Sequence, residues 1–252
     1  MSSDAPAISL SDSRPRAGAG PGFFFIAHIA LLAVVLVGFS PTFYLRGFFR
    51  VPAIPPSLYV HGAVLTLWFL LTVLQGWLIR TRRPRLHRRL GYVAAGYAAL
   101  VIVLGLVANQ LMGSQIKSPA EAENIIYWAN LFTLVQFAVF VSLAVVFRGS
   151  PEAHKRLTLL ASISIVGPAL ARFPMWPMFA GGTDAARNYG IGGLLLLFAA
   201  MIVYDLIVRR RPHPATWLGA VGILVGLAGA VFLGVTGKGF EILHGPVASV
   251  AS

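Results

Sequence analysis

The chain has 252 residues, 57% hydrophobic and only 11% charged, against roughly 25% charged in an ordinary soluble domain. Lys and Arg outnumber Asp and Glu by 20 to 8, giving +12, and there is no Cys. This composition excludes a disordered chain, a disulfide-stapled domain, thiolate metal centres and thiol nucleophiles. It also excludes nucleic acid as a partner, because the basic residues fall in short runs between long apolar stretches, as in a polytopic membrane protein.

Residues 1–22 are small, polar and rich in Pro and Gly, and read as a disordered cytoplasmic tail. A helix crossing the hydrocarbon core needs about 20 mostly apolar residues. Seven segments meet that test: Phe23–Leu45, Leu58–Ile79, Leu90–Met112, Ile125–Phe147, Leu157–Phe179, Ile191–Val208 and Ala215–Val235. The first is long and lacks a small-residue cleavage site, so it reads as a retained helix rather than a signal peptide. The expected fold is therefore all-α, a seven-helix transmembrane domain over 23–236 with a short tail at 237–252. The turns after the second, fourth and sixth spans hold twelve Lys and Arg, and the intervening loops hold four. By the positive-inside rule the N-terminus is cytoplasmic and the C-terminus outside. The expected location is a bacterial inner membrane, with its lipids as partners.

The inner turns contain a repeat. Pro84-Arg85-Leu86-His87-Arg88-Arg89-Leu90 returns as Pro151-Glu152-Ala153-His154-Lys155-Arg156-Leu157, 67 residues on. The third turn, Arg209-Arg210-Arg211-Pro212-His213-Pro214, compresses the same residue types. Helices two–three and four–five thus read as parallel-repeated hairpins. Pro starts a helix, and Arg and Lys reach lipid phosphates. Neither role accounts for the recurring His. His61-Gly62, Gln75, the Leu86–Gly91 turn and His154-Lys155-Arg156-Leu157 resemble a bacterial group of multi-pass membrane proteins classed as a domain of unknown function. The likeness covers roughly Leu58 to Arg172. It implies an all-helical membrane protein and no particular activity.

Ionisable residues inside spans are functional candidates by default. His87, His154, His28, His213 and Asp205 lie near the inner face, where imidazoles and a carboxylate would suit a divalent metal or a bis-His haem b in a redox role. The bland alternative pairs Asp205 with Arg209 one turn later and leaves the His residues to cap helices or meet lipid. In the outer half, His61 and Arg172 fall at similar depth, with Asn109, Gln110, Tyr127 and Asn130 able to approach from helices three and four. Arg172 needs an anionic or carbonyl partner, and no acidic residue sits at that depth in any span. Gly167-Pro168 and Phe173–Pro177 break the fifth helix on both sides of it. A quinone or lipid carbonyl, with a redox partner, would fit such a site. The competing classes are a small transporter and a non-catalytic, lipid-binding subunit. Lysines confined to helix ends disfavour a retinal Schiff base. The spans hold no carboxylate pair, phosphate-cradling glycine loop or Gly-x-Ser-x-Gly turn.

Overall fold

The computed structural model describes residues 21–179 and 182–245. Among these the chain is helical throughout, without strands: α1 Pro21–Phe39, α2 Arg46–Phe49, α3 Pro56–Arg80, α4 Pro84–Gly113, α5 Ala122–Val146, α6 Pro151–Ser164, α7 Gly167–Leu170, α8 Gly182–Arg209, α9 Pro214–Val235 and α10 Lys238–His244. Six helices are long and apolar enough to cross a membrane, and a seventh span results if the bent α6–α7 pair counts as one. The all-helical membrane architecture read from the sequence is present. Most of residues 1–22 and the end of the C-terminal tail lie outside the described residues, and α10 occupies the start of that tail.

Four of the long helices begin with Pro at a first-turn position (Pro56, Pro84, Pro151, Pro214), where its missing N–H would be unpaired anyway and its fixed φ suits the helix. Alternation of direction brings the α3–α4, α5–α6 and α8–α9 turns to one end, here the basic end. The start of α1 lies there too, with Phe25 under the Arg80 guanidinium.

The helices pack in the order α3, α4, α5, α9, α8, with α1 beside α3 and touching α8 through Phe23 and Phe24 against Tyr204. Within that ring runs α6, in contact with α1, α5, α8 and α9. From Leu157 to Ser164 all but one of its residues are buried, whereas the ring helices leave side chains such as Val103, Leu196 and Val235 outside. So large an exposed apolar surface fits acyl chains. The central position also separates the two sequence repeats. Arg89, on ring helix α4, is exposed, while Arg156 at the matching position of α6 is fully buried.

Two irregularities occur at the end opposite the basic turns. α1 passes into a π-helical turn, Ser40–Tyr44, around Pro41. α6 breaks at Ile165–Val166 and continues at 46° as α7 and a 3-10 turn, Phe173–Met175. Pro168 has no N–H for the Ser164 carbonyl, which forces this break. Gly38 of α1 lies against the Ala169 backbone of α7, so near that a Cβ there would meet the carbonyl itself. The two distorted segments are thereby held side by side.

Candidate functional site

At the basic end, Arg156 and Asp205 form an ion pair with both side chains fully buried. Arg156 Nε donates to Asp205 Oδ1 at 2.9 Å and Nη2 to the same oxygen. Its Nη1 donates to Glu152 Oε2 and O at 2.7 and 2.8 Å. Asp205 Oδ2 accepts from the His213 N–H at 2.9 Å and from Thr216 Oγ1 at 2.5 Å. The guanidinium also lies over the Phe24 and Tyr204 rings, 5.4 and 5.8 Å from their centroids. One charged group thus ties α6 to α1, α8 and α9. Asp205 thus pairs with Arg156 rather than with Arg209, the alternative one turn away, and its two oxygens accept four donors. Arg156, read from the sequence as an interfacial charge, is the residue that reasoning missed.

His213 caps α9, its Nδ1 accepting from the Ala215 N–H at 3.0 Å. Burial, then the charges of Arg156 and Arg209, hold its imidazole below the ordinary His value. His28 is buried with Nδ1 on the Phe24 carbonyl at 2.7 Å, and its buried Nε2 has no partner among the described residues. His87 and His154 do come together, with ring centroids 6.2 Å apart and planes at 88°. His154 Nδ1 sits 2.8 Å from the Ala144 carbonyl and therefore carries the proton. Gln75 is best satisfied with its amide nitrogen toward His87 Nδ1 at 2.5 Å and its oxygen toward the Gly91 N–H at 2.9 Å, an orientation assigned from hydrogen bonding. That makes His87 Nδ1 an acceptor and puts the His87 proton on Nε2. The two rings thus have opposite tautomers. Among the described residues no three His, Asp or Glu side chains converge as a metal site.

The far end holds a cavity of about 360 Å³ between α1, α3, α4, α5 and the broken α6–α7. His61, Asn130 and Arg172, the three outer residues singled out in the sequence, all line it, as does Asn109. Gln110 and Tyr127 do not; Tyr127 is buried nearby, and its carbonyl accepts from Asn109 Nδ2 at 3.2 Å. The π-turn adds Thr42, Phe43 and Tyr44, which the sequence reading missed. Tyr44 OH is 2.5 Å from Thr66 Oγ1, which donates to the Gly62 carbonyl at 2.7 Å. Arg172 Nη1 donates to the Pro168 carbonyl at 2.6 Å, Nε to Thr42 Oγ1 at 3.2 Å, and the guanidinium lies 4.6 Å from the Phe39 ring centroid. Among the described residues no carboxylate lines the cavity. His61 Nδ1 and Asn109 Oδ1 are buried and have no hydrogen-bond partner among the described residues. The rest of the wall is largely aliphatic and aromatic, including Val35, Leu65, Val101 and Leu134.

No family model, no curated protein and no solved structure matches the chain.

Proposed function

We propose that this multi-pass membrane protein binds an amphipathic, carbonyl-bearing molecule, a quinone or a lipid, in the far-end cavity. One observation carries the reading: Arg172, His61, Asn109 and Asn130 converge from four helices on an otherwise apolar chamber. A few convergent polar groups in an apolar pocket of about 300–1,000 Å³ are the usual form of a small-molecule site. Two buried polar atoms left unpaired there supply anchors that a ligand would satisfy. Binding needs no redox step, so the reading includes a lipid-binding subunit as well as a quinone-linked one. The test is equilibrium binding of a short-chain quinone and of a lipid ester to the purified chain in neutral detergent. Saturable binding of either, weakened by Asn130→Leu and His61→Leu in a folded protein, supports the site. Absence of saturable binding for both overturns it.

A second reading keeps haem or a divalent metal between His87 and His154. The close approach of the two rings, with centroids 6.2 Å apart, favours it, because His87 and His154 are the pair of imidazoles that would hold such a group. It requires His87 to adopt the opposite tautomer, with Gln75 turned over. An absorption spectrum and elemental analysis of the purified protein decide it: neither a Soret band nor stoichiometric metal removes this reading.

A further inference from the structure

Two arginines are treated differently: Arg156 is fully buried, and Arg172 is half-buried. Arg156 receives two carboxylates, Asp205 and Glu152. Arg172 receives a carbonyl and a hydroxyl, and among the described residues no acidic side chain lines the chamber it faces. A guanidinium stays protonated at any physiological pH, and a half-buried one that faces an apolar chamber gains from a counter-charge placed there. A neutral quinone would leave that charge uncompensated. An ionised carboxylate would neutralise it and accept the remaining guanidinium N–H groups, in the bidentate geometry for which Arg is suited.

We infer that the ligand of the far-end cavity is a single-chain amphiphile with an ionised carboxylate head, bound at Arg172 with its chain along Val35, Leu65, Val101 and Leu134. This rests on the cavity reading above and narrows it from carbonyl compounds in general to fatty-acid-like anions. The neighbouring groups fit. His61 Nδ1 has no partner among the described residues, and with the ring proton on Nε2 toward the Leu104 backbone it can accept from a hydroxyl on the head. The break at Gly167-Pro168 and the π-turn at Pro41 bring Arg172 and Thr42 together in the wall of the chamber, whose lining also supplies Val35, Leu65, Val101 and Leu134 for the chain. About 360 Å³ is near the lower end for small-molecule pockets, sized for one head and one chain rather than a two-chain lipid.

The experiment titrates full-length protein in maltoside micelles at pH 8 with dodecanoate, methyl dodecanoate, a short-chain neutral quinone, acetate and inorganic phosphate, against empty micelles. Dodecanoate is expected to bind saturably at one per chain, at least tenfold tighter than its methyl ester. Arg172→Gln should bring the acid down to the level of the ester. Should Arg172→Gln fail to fold, Thr42→Asp serves instead, because it supplies the missing counter-charge where Arg172 Nε already reaches. It is expected to raise the melting temperature of the free protein and abolish dodecanoate binding. If the ester or the quinone binds as tightly as the acid, the anionic head is wrong and the cavity reading stands. If acetate or phosphate binds as tightly as dodecanoate, the site takes a free anion and the amphiphile is wrong. Dodecanoate binding unchanged in folded Arg172→Gln or Thr42→Asp also overturns the inference. If none of the three apolar probes binds, the cavity reading falls with it.

Discussion

Replacing Asp205 by Asn tests the packing centre of the fold. The side chain keeps its size but loses its charge, so fully buried Arg156 retains only Glu152, which is about half exposed, as a counter-ion. An amide has one acceptor oxygen for the four donors that Asp205 satisfies, namely Arg156 Nε and Nη2, the His213 N–H and Thr216 Oγ1. Removing one partner of a buried pair costs about 3–5 kcal/mol. For a chain of this length that corresponds to a melting temperature lower by roughly 10 °C. Arg156→Met with Asp205→Leu removes both charges and leaves the His213 N–H and Thr216 hydroxyl unpaired, a residual penalty of about 1–3 kcal/mol. The double variant should therefore be the more stable of the two. Unfolding followed by helical circular dichroism in mixed detergent micelles ranks them. A loss below about 1 kcal/mol for Asp205→Asn, or a double variant no more stable than the single, would refute the view that this pair joins α6, α8 and α9.

Gly38→Ala should destabilise by about 1–3 kcal/mol, because the added Cβ meets the Ala169 backbone carbonyl rather than a side chain that could rotate away; thermal unfolding checks it. Stability should fall as pH drops through the ordinary His value of about 6.5, since the unfolded chain takes up a proton that His213 resists in the folded state. His213→Asn retains a helix cap and should flatten that slope, whereas His213→Ala should flatten it and also cost about 1 kcal/mol. Glu152→Gln, at a half-exposed position, should change stability by no more than about 1 kcal/mol. A reporter fused after Ser252 should be extracytoplasmic, as the basic turns require; cytoplasmic activity would reverse the assigned orientation.

Each of the seven apolar segments has a counterpart in the helical structure because span length and apolarity are local properties. α8 starts nine residues before the expected Ile191, since Arg187 and Asn188 lower the apolarity of its first turns without interrupting the helix. The break of the fifth segment was also legible, because a proline leaves its mark wherever it stands. The sequence pattern further placed His61, Asn130 and Arg172 at one depth, and the structure puts them around one cavity. Depth along a helix says nothing about rotation around it, which is why Gln110 and Tyr127 were grouped with them and do not line it. Arg156 was hidden for a related reason. Its position repeats that of Arg89, and only the central placement of α6 separates a buried cation from an exposed one. A local signal was available: Asp205 is the one acidic residue well inside an apolar segment, and it required a partner. That partner proved to be 49 residues away rather than four.

The absence of Cys allows a direct test of the far-end cavity by a single introduced thiol. Thr133→Cys places it in the cavity wall, and Ala98→Cys places it in the packed core, 2% exposed and outside the cavity lining. Both proteins, in membranes, are treated with methyl methanethiosulfonate with and without dodecanoate or a short-chain quinone, and adducts are counted by intact mass. The account predicts modification at position 133, little at position 98, and protection of position 133 by a bound amphiphile. Equal labelling at the two positions, or labelling at 133 that neither compound slows, would contradict a ligand-binding cavity.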